Sequence, residues 1–308
     1  MISWLPLFHD MGLIGCFLFT AYWQLNGVFM LPDHFIRRPA NWLQAITNHR
    51  GTLCPAPNFA FALALERVTE AEQAKLDLSS CRAAMCGAEP INGRILQAFA
   101  DRFAASGFSA NALTPCYGLA EASLCVTMHQ PERPFQVETI YQGGLEAKLA
   151  APTDNEKHKR ATVEVCNCGV AMPGTHIEIR DEIGKPLPDR ALGRIWVSGP
   201  SLMQAYYDDP EKTAMTLQNG WLDTGDMGYM HQQQLFVVGR LKETIIVRGQ
   251  NYFPTDFEQV AAELPHVTRG KVAAIGVYDE KAGYGASTSC GGKPRPKRGG
   301  SGRFGQLD

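Results

Sequence analysis

The stretch "NGWLDTGDMGY", residues 219–229, places Trp221, Asp223, Thr224, Gly225 and Asp226 within six positions, and apolar residues resume at Leu235–Val238. Two readings fit it. Asp and Gly supply the backbone conformations that tight turns demand, so the segment could be a turn between strands. Alternatively, Asp226 could be an acceptor for the diol of a sugar. Its immediate neighbours leave both readings open, and the rest of the chain has to choose between them.

The chain has 308 residues, enough for a large core and one or two domains. With 45% apolar and 19% charged residues it reads as globular, and a formal charge of -2 argues against nucleic acid as the main partner. The charge is unevenly spread. Residues 286–308 carry five Lys/Arg against one acid, which leaves 24 basic and 30 acidic residues elsewhere, or -6. Nine cysteines, mostly isolated, suit a reducing cytoplasm better than a disulfide framework. Cys166 and Cys168 form the one close pair, with no second cluster at metal-ligand spacing. Residues 11–23, "MGLIGCFLFTAYW", make the one long apolar run. It is too short for a bilayer and lacks a basic lead-in, so a buried helix is expected there and not an integral membrane segment or a signal peptide.

Up to about Met128, helical patterns alternate with short apolar strands. Ile95, Leu96, Phe99 and Phe103 mark one face of a helix starting near Asn92, while "CRAAMCG" (81–87) and "FMLP" (29–32) read as strands. Such alternation implies a mainly parallel sheet flanked by helices. From about Val163 to Val238 the pattern alternates and is broken by turns, as in "THIEIRD", "GRIWVSG" and "QLFVVG", which predicts antiparallel strands. After Gly239 the order becomes strand, helix, strand. Residues 129–162 are polar, bear prolines and show little periodicity, so they read as a long connection. The composition of 285–308 reads as a basic tail without regular structure, or as sequence foreign to the domain.

Five stretches in order, "SWLPLFHDMGLIG" (3–15), "APNFAFAL" (56–63), "GAEPI" (87–91), "YGLAEASL" (117–124) and "GWLDTGD…VVGRLKETIIVRGQNYFPTDFE" (220–258), resemble the adenylate-forming superfamily, and most closely its fatty acyl-AMP ligases. The resemblance covers roughly residues 2 to 283. It implies an α/β fold: residues 1–241 as the later part of an AMP-binding large domain, with parallel and antiparallel portions, then 242–284 as the start of a truncated small α+β C-terminal domain. Residues 285–308 are left as an atypical tail.

The implied chemistry joins a fatty acid carboxylate to the α-phosphate of ATP, releasing pyrophosphate. Two anions must meet, so a magnesium ion and cationic groups are needed. By resemblance Glu121 holds Mg2+, a hard cation preferring oxygen ligands. Tyr117 and Gly118 flank adenine, with the Tyr117 ring available for stacking, and Gly87, Ala88, Glu89 and Pro90 form a wall of its pocket. Asp226 accepts the ribose hydroxyls, helped by Arg240. Lys242 is the hinge of the small domain, and His9 lies beside the reacting carboxylate. Plainer roles exist for each: a helix cap for Glu121, core for Tyr117, a solvated hairpin edge for Arg240 and Lys242, and a structural imidazole for His9.

Two branches of the superfamily differ in the acyl acceptor. In acyl-CoA synthetases it is CoA. In acyl-AMP ligases an extra segment after "YGLAEA" is thought to restrain the small domain, and the acyl group goes to an acyl carrier protein or polyketide synthase carrier domain. Here 52 positions separate Glu121 from Pro173, which favours the ligase and predicts that residues 129–165 pack against the large domain. The family's phosphate-binding loop and C-terminal lysine are not recognisable in the chain, no GxxxxGK[ST] loop replaces them, and Lys293 in "GGKPRPKR" lacks matching surroundings. The chain as given is therefore expected to adenylate weakly or not at all, either as an incomplete ligase or as a remnant that only binds nucleotide or a partner.

Overall fold

The structure, a computed structural model, describes residues 1–141, 150, 162–240, 245–247, 250–252, 254, 257–258, 261, 267–277 and 287–294. Its amino-terminal part is built on parallel strands, as the alternation predicts. β1 (Ile2–Ser3) pairs in parallel with β2 (Val28–Phe29), and the Ile2 amide donates to Leu53 O at 2.9 Å. Leu53 and Ala56 bridge in parallel to Ala83 and Cys86 beside β3 (Ala84–Cys86), which runs parallel to β4 (Leu113–Gly118).

Helices cover this layer. In helix Gly93–Phe103, Asn92 caps the first turn by accepting from the amides of Arg94 (3.0 Å) and Ile95 (3.3 Å), which satisfies donors that no earlier carbonyl can reach. Leu96, Phe99, Ala100 and Phe103 are buried at the i, i+3, i+4, i+7 spacing of one face. They meet the helices Ala40–His49 and Asn58–Arg67 through an aromatic cluster, with Phe99 edge-on to Phe61 at 5.1 Å and Phe61 edge-on to Trp42 at 5.6 Å.

The change to antiparallel pairing falls at one point. β4 pairs with β3 on one side and, antiparallel, with β5 (Cys125–Met128) on the other, so the switch comes at Cys125 and not after Met128. The sheet then runs β3-β4-β5-β7-β12-β11-β9-β8, with β7 at Thr162–Ala171, β8 at His176–Arg180, β9 at Gly193–Ser198, β11 at Trp221–His231 and β12 at Gln234–Arg240. β6 (Val137–Tyr141) joins at β7, and β10 (Leu217–Gln218) pairs with β11. The three antiparallel segments read from alternation are thus β8, β9 and β12.

Three expectations are corrected. Residues 11–23 are helical, with a π-helical turn at Leu13–Leu18, but not buried. Only Met11, Gly12, Cys16 and Thr20 are covered, whereas Leu13, Phe17, Leu18, Phe19, Tyr22 and Trp23 are exposed, so one narrow stripe of the run meets the rest of the chain. The connection 129–162 is not featureless, since it contains β6, whose Ile140 is wholly buried. Ala150 is buried too, its amide donating to Arg190 O at 2.8 Å, and Arg94 grips Glu164 with two bonds of 2.8 Å. The described parts of 129–165 therefore do pack on the large domain. Thirdly, Ser287–Pro294, read as tail, is a strand, paired antiparallel with the strand Val267–Val277. Among the described residues no helix is long and apolar enough to cross a membrane.

Candidate nucleotide-binding site

"WLDTGD" is a strand with a bulge and not a tight turn. Leu222 and Asp223 pair with Val197 and Trp196 of β9, and pairing resumes only at Met227. The residues at and after the break each have a task. Asp223 forms an ion pair with Arg194 and accepts the Gly225 amide at 3.1 Å. The Thr224 hydroxyl donates to Ile195 O at 2.8 Å and accepts the Asp226 amide at 3.1 Å. Gly225 has φ 74, in the left-handed region, where a side chain would add strain. The irregularity re-aims Asp226, as bulges commonly do. The turn reading applies to the residues before it, Asn219 (φ 51) and Gly220 (φ 79), which join β10 to β11.

Asp226 is 6% exposed, and both of its oxygens are engaged. Oδ2 accepts the Tyr117 hydroxyl at 2.6 Å and Oδ1 accepts Arg240 Nε at 2.9 Å, Arg240 being its directly opposed residue on β12. Tyr117 ends the buried run of β4. Burial, then the charge of Asp226, pushes its phenol well above the ordinary value, so it stays a donor throughout the physiological range. The sequence offered the Tyr117 ring but not this use of its hydroxyl.

Two cavities meet at these residues. One, of about 360 Å³, is lined by Ala88, Glu89, Pro90, Tyr117, Asp226 and Arg240 among others. The second, of about 430 Å³, is lined by His9, Gly87, Leu119 and Glu121 and shares Ala88, Tyr117, Gly118 and Arg240 with the first. The site residues expected from sequence thus surround one two-lobed crevice, except Lys242, which lies outside the described residues. The crevice lies at the carboxyl end of β4, and the carboxyl ends of the strands are where open α/β sheets place ligands. Close approach explains Gly118: a Cβ there would come within 1.8 Å of Leu124 O, because the chain doubles back at once, Leu119 N donating to Leu124 O at 2.9 Å.

Ala88 has φ 70, an uncommon conformation for alanine, and it sits on the wall shared by both lobes. Glu89 is exposed as a residue, yet its carboxyl end turns onto the Phe59 amide at 2.5 Å, and burial of that end raises its pKa above the ordinary range. His9 Nδ1 lies 3.2 Å from the Met11 amide and 2.7 Å from Asp10 Oδ1 while its ring borders the second lobe. It thus has local structural contacts and a place on the wall of the second lobe.

Glu121 does not cap a helix. It lies in a single 3₁₀ turn, Ala120–Ala122, followed by Ser123 at φ 64. Its Oε1 accepts the hydroxyl of Tyr206 at 2.7 Å. Desolvation and then Glu121 push the Tyr206 phenol up to about 12. Among the described residues no group of three or more His, Cys, Asp or Glu could hold a metal ion. Cys166 and Cys168 are buried free thiols. Glu121 suits a cation completed by phosphate oxygens and water, the usual arrangement for Mg2+. Sequence reasoning missed Tyr206, and Pro254 and Glu258 in the first lobe. Nothing local distinguishes Tyr206 from Tyr207, which is 93% exposed.

One lobe of the crevice holds the buried carboxylate of Asp226 and the other the carboxylate of Glu121, and the class of protein this fold and crevice belong to is that of the AMP-binding enzymes. Residues 1–207 match the AMP-binding enzyme family, and the chain belongs to it. The chain is 37% identical over 281 residues to a Caulobacter vibrioides protein provisionally named an acyl-CoA synthetase, spanning 91% of this chain and 49% of that one. It is 35% identical over 289 residues to the medium-chain-fatty-acid–[acyl-carrier-protein] ligase JamA of Moorena producens, spanning 89% and 48%. A solved structure from a study of fatty acyl-adenylate ligases of E. coli and L. pneumophila superposes with a TM-score of 0.89 at 37% identity, covering 96% of this chain and 53% of that one. The chain spans about half the length of the curated relatives it matches.

Proposed function

We propose that the protein takes part in ATP-dependent activation of a fatty acid to an acyl-adenylate, as a fatty acyl-AMP ligase, with transfer of the acyl group to a carrier protein. The observation that carries this reading is the two-lobed crevice, in which Tyr117, Gly118 and Arg240 border both the Asp226 lobe and the His9–Glu121 lobe. In the reaction a carboxylate oxygen bonds to the α-phosphorus, and the bond from that phosphorus to the pyrophosphate oxygen breaks. Asp226 accepts the ribose hydroxyls, with Arg240 beside it and Tyr117 holding the carboxylate in place. Gly87, Ala88, Glu89 and Pro90 wall the base, and His9 borders the fatty acid carboxylate. Glu121 is the ligand for Mg2+, which when bound offsets the charge of the phosphates. The small domain, from about residue 242, turns about Lys242, and the reducing cytoplasm is the compartment that its free thiols suit.

A second reading, an acyl-CoA synthetase, is favoured by the name of the Caulobacter relative. The packing of β6, Ala150 and Glu164 on the large domain supports the carrier-protein branch instead. Two measurements test the proposal. A non-hydrolysable acyl-sulfamoyl-adenosine with a long acyl chain is expected to bind at least tenfold more tightly than AMP, and Asp226→Ala is expected to weaken both. Equal affinity for the two ligands overturns the fatty acyl part of the reading, and binding that ignores Asp226→Ala overturns the nucleotide site. Pyrophosphate release from ATP, followed with the fatty acid and then with CoA or a phosphopantetheinylated carrier protein, separates ligase, synthetase and non-catalytic binder.

A further inference from the structure

Tyr206 reaches Glu121 across 85 positions of sequence, and its ring is held from sides that do not involve the Glu121 carboxylate. The Tyr206 amide donates to Thr213 Oγ1 at 2.9 Å, and Thr213 Oγ1 donates in turn to Asp209 O at 2.7 Å. Asp209 caps the helix Pro210–Thr216 by accepting the Lys212 amide at 2.9 Å. That places the Lys212 ammonium 3.8 Å over the centre of the Tyr206 ring, within the range of a cation–π contact. Two further bonds join the loop to the Glu121 turn itself: Met203 N to Glu121 O, and Ser123 Oγ to Ser201 O, both 2.8 Å.

Resting on the reading of Glu121 as a magnesium ligand, we infer that Tyr206 is a positioning residue, fixing the Glu121 carboxylate for a divalent cation bound together with the nucleotide phosphates. A glutamate side chain turns about three bonds, and one on a single 3₁₀ turn has little backbone to restrain it. A hydroxyl on Oε1 selects one orientation before any cation arrives. It also leaves acceptor capacity to spare, since an ionised carboxylate offers about four lone-pair sites. Partners that orient a ligand in this way typically change metal affinity by about 10–100-fold when removed. Lys212 and Thr213 then act one step further out, holding the ring that holds the carboxylate.

The test is the binding of Mn2+–ATP to the protein without fatty acid, so that no turnover is needed, followed by electron paramagnetic resonance of the manganese. AMP affinity without metal is measured beside it. Tyr206→Phe keeps the ring beneath Lys212 and removes only the hydroxyl. It is expected to weaken Mn2+–ATP by about tenfold or more, with AMP affinity held within twofold. Glu121→Gln is expected to lose at least as much. Wild-type Mn2+–ATP affinity in Tyr206→Phe, with Glu121→Gln weakened, overturns the positioning role and leaves the site reading standing. Unchanged affinity in Glu121→Gln overturns the metal role beneath it. Parallel loss of AMP and Mn2+–ATP in Tyr206→Phe also overturns the inference, because it marks a merely structural contact. Should that variant not fold, Lys212→Met, which leaves the hydroxyl and releases the ring, serves in its place: weakened Mn2+–ATP supports the role, and wild-type affinity overturns it.

Discussion

Replacing Asp226 by alanine should remove the recognition of ribose while leaving the rest of the crevice in place. The buried carboxylate already accepts Tyr117 at 2.6 Å and Arg240 at 2.9 Å, so part of its capacity is occupied before a nucleotide arrives. The arginine side chain is 59% exposed, and such a screened pair contributes less than about 1 kcal/mol. On the proposed assignment the ribose hydroxyls would bond to a 6%-exposed carboxylate, where hydrogen bonds to a charged group are worth about 1.5–3 kcal/mol each and do not simply add. A combined loss of about 2–3 kcal/mol corresponds to a Kd for AMP raised roughly 30–150-fold.

Alanine also strands the Tyr117 hydroxyl in a buried place, at a cost of about 1–3 kcal/mol to stability. Asp226→Asn, which keeps an acceptor for it, is the control, expected to fold as the wild type and to lose about tenfold in AMP affinity. Equilibrium dialysis with radiolabelled AMP leaves the ribose unmodified. The decisive comparison is AMP against its 2′,3′-dideoxy analogue. Wild-type protein should prefer AMP strongly, and Asp226→Ala should bind the two alike. An alanine variant that still discriminates between them would refute the assignment of the diol to Asp226.

Ala88→Gly should relieve the left-handed backbone on the wall shared by the two lobes, raising stability by about 1 kcal/mol in denaturant unfolding; a destabilised variant would show that the Ala88 methyl packs well enough to outweigh the strain. Ile140→Ala should cost about 2–5 kcal/mol, as for a fully buried aliphatic residue, because its side chain packs in a core cluster with Ala150, Val165, Leu192, Tyr229 and Phe236. A cost below 1 kcal/mol would mean that β6 is not part of the cooperative core.

Local signals in this chain carry what depends on neighbours along the backbone. The cap at Asn92, the buried face Leu96–Phe103 and the alternation in β8, β9 and β12 are set by helical or strand period, and they fold where expected. Burial of residues 11–23 was misjudged because an apolar run states an appetite for cover and not which surface supplies it. The motif residues were identifiable one by one, through their resemblance to the family, and the crevice gathers those that are described. What tertiary structure decided is which atom meets which. The hydroxyl of Tyr117 finds a carboxylate 109 positions away, and that of Tyr206 finds one 85 positions back. The first partner follows from the order β4-β5-β7-β12-β11 and from a bulge that turns Asp226 inward, the second from the loop after β9 being bonded to the Glu121 turn. Strand order is the outcome of packing the whole sheet at once, so no window of sequence around either tyrosine contains it.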